Sequence, residues 1–182
     1  MTGPFRRASL APIAAIAIAA LLHVPSNAAT VRFPSVSSRN LNGRMMNLPN
    51  DFQAPASIVF VAYERNQQSQ VDSWKPFVTD LRQRFPALGV YEVPTLAKSN
   101  ALFRGFIDGG MRRGIPDTAD RATTITLYID KRPFDDALGI STEDAITVLL
   151  VRPDGEVLWR STGAYAAEKS AGLDAAIPTA SG

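Results

Sequence analysis

Ile58, Val59, Phe60, Val61, Ala62 and Tyr63 form an unbroken apolar run in an otherwise mixed chain. A strand covered on both faces has this pattern, so residues 58–63 are predicted to lie in the middle of a sheet. Val71, Trp74, Phe77, Val78, Leu81 and Phe85 then recur at helical spacing, with Asp80 and Arg84 four apart on the outer side. That is an amphipathic helix, and its apolar stripe belongs to a core. Residues 88–93 follow as a short strand that Pro94 should end. Leu102, Phe103, Phe106, Ile107 and Met111 mark a second helix, weakened by Gly105, Gly109 and Gly110 and fraying before Pro116. Residues 124–129 alternate polar and apolar, as on the margin of a sheet, and Pro133 can start a short helix carrying Phe134 and Leu138. Residues 146–151 repeat the doubly covered pattern. Pro153, Asp154 and Gly155 turn the chain back into a strand with Val157 and Trp159 on one face, and residues 165–177 read as a closing helix. Upstream, Asn42-Gly43 separates two short extended runs and predicts a β-hairpin.

A parallel strand pair joined by a helix, followed by a tight antiparallel hairpin and a last helix, gives an α/β fold with helices on both faces of a mixed sheet. The expected organisation is an export segment at 1–28, an N-terminal β-hairpin and connector at 29–55, one α/β domain at 56–177 with a helical insertion, and a loose tail at 178–182. The export reading rests on Arg6-Arg7, the apolar run from Leu10 to Leu22 and the small residues Ser26 and Ala28, with cleavage expected after Ala28 or Ala29. The apolar run is shorter than the roughly 20 residues a spanning helix needs. The mature protein is therefore expected outside the inner membrane, in the periplasm.

Charge and composition narrow the chemistry. The chain carries 19 basic and 17 acidic residues; removing Arg6 and Arg7 leaves 17 of each, so the mature protein is neutral. It lacks the basic excess that nucleic-acid binding uses. There is no cysteine, and the single histidine, His23, lies in the export segment. Thiol redox chemistry, a disulfide-linked partner, Cys or His metal sites and Ser-His triads each lose an indispensable group. No metal or cofactor is expected. An enzyme on this chain would have to work with carboxylates, Tyr, Lys or Arg alone.

The segment around the first helix resembles the thioredoxin superfamily, over roughly residues 56–177. That family's pattern Phe-Trp-Ala-x-Trp-Cys-x-x-Cys falls without gaps on Tyr63, Glu64, Arg65, Asn66, Gln67, Gln68, Ser69, Gln70 and Val71, and its helix proline falls on Pro76. The cysteine positions are thus Gln68 and Val71. The family's buried acid corresponds to Ala62 and its cis-proline to Ile146. The resemblance implies the fold without its redox activity. Within the superfamily, Arg112-Arg113 with Ile115-Pro116, Leu127-Tyr128, Leu138-Gly139-Ile140, and Leu150 leading to Asp154-Gly155, Trp159 and Gly163 are similar to the thioredoxin-like assembly factors of ATP synthase. That similarity implies a chaperone or assembly factor for a membrane-protein subunit.

Two places are candidates for partner contact. The first is a groove bounded by Tyr63, Glu64, Arg65, Asn66, Gln67 and Gln68 on one side and Asp144, Ala145 and Ile146 on the other, where the superfamily presents extended substrates. Its Glu64 and Gln67 are expected to be exposed. Open α/β sheets present their sites at such strand ends. The second is Arg112-Arg113, a pair of fixed-charge forks suited to a carboxylate or lipid phosphate, or else a basic helix end offsetting the dipole. Asp135-Asp136 is explained by the N-terminal dipole of its helix. The leading expectation is a redox-inactive thioredoxin-like protein that binds another polypeptide. The alternative is a non-thiol enzyme or a small-ligand-binding protein on the same fold.

Overall fold

The computed structural model describes residues 30–180, with side chains to residue 177. The export segment and its cleavage site lie outside the described residues. A two-stranded hairpin, β1 (Val36–Arg39) and β2 (Met45–Leu48), precedes the central strand β3 (Ser57–Ala62). After it come α1 (Gln68–Arg84), β4 (Gly89–Ala97), α2 (Ala101–Gly114), α3 (Thr118–Thr123), β5 (Leu127–Ile129) and α4 (Lys131–Leu138). The chain closes with β6 (Thr147–Val151), β7 (Val157–Thr162) and α5 (Ala167–Ala180). Five strands form one sheet in the order β5-β4-β3-β6-β7. β4 runs parallel to β3 and β5, whereas β6 is antiparallel to β3 and β7.

Strand alternation explains why β3 is apolar from Ile58 to Ala62. Ile58 and Phe60 face one cluster with Val71, Trp74, Val78 and Leu81 of α1 and Leu173 and Ile177 of α5. Val59, Val61 and Tyr63 face the opposite cluster, formed with Phe33, Met46, Leu48 and Phe52 of the hairpin region and with Phe134 and Leu138 of α4. The hairpin thus covers one face of the sheet. Its turn is built as the Asn-Gly pair predicts: Gly43 has φ +86°, and the Asn40 side chain accepts from the backbone of Asn42 and Arg44.

Several elements depart from the sequence pattern. β4 does not stop at Pro94. That residue occupies the last register position against β3, opposite Ala62, and beyond it the strand pairs with β5 instead, so the missing N–H falls where one ladder gives way to the other. The strand expected over 124–129 is reduced to β5, because Asp117 accepts from the backbone of Ala119 and Asp120 and nucleates α3 just before it. Thr124 and Ile125 make only isolated bridges. Val157 and Trp159 do not share a face. A bulge sets Val157 opposite Val151 and Trp159 opposite Leu150, with Leu158 as the extra residue, so Val157 joins the hairpin-side cluster and Trp159 the α1 side. α5 starts two residues later than expected and runs on to Ala180.

The second helix departs most. The side chain of Asn100 caps α2 by accepting from the Phe103 amide, yet none of its residues is buried. Leu102 is 89% exposed, Phe106 72% and Phe103 51%. Space around Gly105 and Gly110 is open, so neither glycine serves a close approach. Gly110→Ala is therefore expected to stabilise the protein by about 0.5–1 kcal/mol, the helix-propensity gain without a clash. Urea unfolding would measure it, and a loss of stability would show a contact that the helix does not display.

Candidate partner-binding site

At the carboxyl end of β3 the chain turns through a single 3-10 turn, Arg65–Gln67, into α1. This turn is pinned from inside. Gln67, only 2% exposed, accepts at Oε1 from the Tyr63 amide at 2.8 Å and donates from Nε2 to the Glu143 carbonyl at 2.6 Å. Gln70 adds a second tie, its Oε1 accepting from the Ile146 amide at 3.2 Å. The structure thus brings together the two predicted walls, residues 63–68 and 144–146. It corrects one expectation: Gln67 is not an exposed loop residue, because the turn buries its side chain to satisfy the backbone groups of Tyr63 and Glu143.

The other candidates fall into two sets. Glu64, Arg65, Asn66, Gln68 and Asp144 are exposed, and Ala145 is half-buried. Tyr63, Val71 and Ile146 are buried. Of the two positions that the redox cysteines would occupy, Gln68 therefore opens α1 at the surface, where it donates to Asp72, whereas Val71 is core. Arg112 and Arg113 are not part of this site. They are exposed at the end of α2, which meets the sheet through Tyr128 of β5, and β4 stands between β5 and β3.

Beneath the turn lies a polar group that the sequence pattern does not assemble. The Tyr63 hydroxyl donates to Asp135 Oδ1 in a short hydrogen bond, Lys131 pairs with Glu143, and the Lys131 ammonium stands 5.4 Å from the centre of the Tyr63 ring. Asp135 is buried with Phe134 and Leu138, and because α4 begins at Lys131, two residues before Pro133, it lies beyond the first turn. This start puts Lys131, Asp135 and Leu138 on one helical face, and the first turn holds no acid. The dipole explanation of Asp135 consequently fails. The i, i+4, i+7 spacing was the available signal, hidden by the expectation that Pro133 opens the helix.

Burial pushes the Asp135 carboxyl above the ordinary range, helped by the nearby Glu143 charge and opposed by the Tyr63 hydroxyl and Lys131. The Tyr63 phenol is driven far above its usual value, first by burial and then by its bond to Asp135, so it stays a neutral donor and is no nucleophile. Among the described residues no three side chains gather as metal ligands. The arrangement offers a rigid polar platform: paired charges below, exposed Glu64, Arg65 and Asn66 above.

The raised Asp135 has a linkage consequence. A carboxyl with a higher pKa folded than unfolded binds its proton more readily in the native state, so its contribution to stability falls as pH rises from the ordinary carboxylate range through the folded value. Asp135→Asn, which keeps an acceptor for Tyr63, should therefore compare more favourably with the parent at pH 7 than at pH 4. Urea unfolding of both proteins across that range reads it. An equal difference at both ends would mean that Asp135 is not desolvated.

No family model matches the chain, and no curated protein matches it by sequence. Solved structures do match. A putative electron transfer protein from Aquifex aeolicus VF5 superposes with TM-score 0.59 at 9% identity, over 83% of this chain and 97% of that one. BsSco, of the Sco family of cytochrome c oxidase assembly proteins, gives 0.51 at 12% identity over 84% and 95%. A putative thiol:disulfide interchange protein DsbE from Chlorobium tepidum gives 0.50 at 17% identity over 84% and 97%. The fold is thioredoxin-like, and it carries no cysteine.

Proposed function

We propose that this thioredoxin-like chain is an exported, redox-inactive protein that works by binding another polypeptide at the platform formed by residues 63–68 and 144–146. The supporting observation is Gln67. A solvated turn needs no buried amide, whereas here one side chain ties Tyr63 to Glu143, the residue that leads into the second wall, while Glu64, Arg65, Asn66, Gln68 and Asp144 face solvent. Without a thiolate no mixed disulfide can form, so capture is reversible and depends on shape and hydrogen bonding. The finer reading is an assembly factor or chaperone whose partner is a membrane-protein subunit. The described match to a cytochrome c oxidase assembly family supplies a precedent for such work on this fold, and the short motifs running from Arg112-Arg113 to Gly163 point to the ATP synthase version of it.

Crosslinking in the native envelope, with the captured proteins identified, tests the reading. Replacing Glu64, Arg65 and Asn66 together with Ala should abolish most of the capture and cost about 1 kcal/mol or less in stability, since all three are exposed and only Glu64 caps the turn. If the triple variant retains the same proteins at the same affinity, the platform is not the binding site.

A further inference from the structure

α2 is a helix without an internal reason to be one. It holds Gly105, Gly109, Gly110 and Gly114 within fourteen residues and buries no side chain, although helices in folded proteins are normally held by a packed face. Its attachment is a thin polar seam. Asp108 accepts from the Tyr128 hydroxyl at 2.7 Å, the Arg104 guanidinium lies over the Tyr128 ring, and Met111 Sδ accepts from Thr126. At 100° per residue, Leu102, Phe103 and Phe106 project from the side opposite Asp108, into solvent. Ile107 and Met111 are half-buried, and the rest of the apolar stripe points away from the protein.

The charges around that face identify what covers it. Between Lys98 and Pro116 the chain has Lys98, Arg104, Arg112 and Arg113 against one acid, Asp108, which Tyr128 already occupies. All four cations are exposed. The mature protein is neutral overall, so this excess is local. We propose that α2 is a membrane-docking helix that lies flat on an anionic lipid bilayer, with Leu102, Phe103 and Phe106 entering the acyl boundary and the Lys98, Arg112 and Arg113 cations meeting lipid phosphates. Hydrocarbon is the natural environment for the rings, and flexible basic side chains reach headgroups from a helix lying in the interface. The helix is too short to span: among the described residues none is long and apolar enough to cross a membrane. The inference stands apart from the platform at residues 63–68, because it concerns where the protein sits and not what it captures.

Co-flotation of the mature protein with vesicles of phosphatidylcholine alone, or with about 30% phosphatidylglycerol, at about 0.1 M salt tests it. Binding to the anionic vesicles should exceed binding to the neutral ones by about tenfold or more and weaken as salt rises. Leu102→Ser, Phe103→Ser and Phe106→Ser together should reduce it by at least about a hundredfold, and Arg112→Gln with Arg113→Gln by about tenfold. None of these side chains is buried, so the variants should keep the parent's unfolding midpoint; if the triple variant does not fold, the arginine pair decides. The proposal is overturned if the parent fails to float with either vesicle, or if the arginine pair or a folded triple variant floats as well as the parent. It is also overturned if the parent is a dimer that the triple variant dissociates while neither binds lipid, since a second copy would then be the occupant. Loss of capture by the Glu64, Arg65 and Asn66 variant in solution is read separately, so failure of one idea leaves the other standing.

Discussion

Trp74→Ala is expected to destabilise the protein by about 3–5 kcal/mol, the cost of truncating a fully buried aromatic residue. Trp74 is 0% exposed and sits where three elements meet. Its ring contacts those of Trp159 on β7 at 6.1 Å, Tyr165 before α5 at 5.5 Å and Phe77 one turn along α1 at 6.4 Å, with interplanar angles of 65–86° suited to edge-to-face contact. The indole Nε1 also donates to the Gly163 carbonyl at 3.1 Å, so the substitution removes packing and leaves that acceptor short of a partner. Phe77, which the sequence pattern places in the same stripe, is only partly buried and leans on the 39%-exposed Tyr165. Its replacement by Ala should cost clearly less. Urea unfolding of the two variants would separate them; equal losses would mean that the junction is not centred on Trp74.

The same stripe shows what the sequence discloses. Burial on both faces leaves an unbroken apolar run, so β3 and β6 and their central positions were legible, as was the α1 face that covers them. Neighbour relations across the chain were less so. Val157 and Trp159 carry the alternation of a regular strand, and only a bulge, which has no composition of its own, sends them to opposite clusters. Leu102, Phe103 and Phe106 have the spacing of a core face, and spacing cannot say whether the face looks inward. At the candidate site the two segments named from the sequence do lie against each other. Their internal fastening was not legible, because a glutamine in a polar loop looks the same whether it is solvated or buried. The meeting of Lys131 and Asp135 with Glu143 was missed for a related reason: it depends on where α4 starts and how it packs, which spacing alone does not show.

That fastening carries the second large effect. Gln67→Ala should destabilise the protein by about 2–4 kcal/mol, because it removes the acceptor of the Tyr63 amide and the donor to the Glu143 carbonyl in a place where water is largely excluded, at roughly 1–3 kcal/mol for each buried group left unpaired. Glu64→Ala, three residues earlier and exposed, loses only the cap that it gives the turn and should cost less, about 0.5–1 kcal/mol. Gln67→Glu distinguishes lost hydrogen bonds from lost packing. It keeps the shape and the acceptor for Tyr63, but at neutral pH it turns a carboxylate toward the Glu143 carbonyl where the amide donated. Protonation restores a donor, so the folded state should hold the new carboxyl's proton more tightly than the unfolded chain does. A raised folded pKa means stability that is present in acid and lost as pH rises through that value. The variant should therefore lie close to the parent near pH 4 and fall below it by pH 7. A loss of the same size at both ends of the range would place the role of Gln67 in filling space, and the Gln70–Ile146 hydrogen bond would then be the remaining polar tie between the two walls.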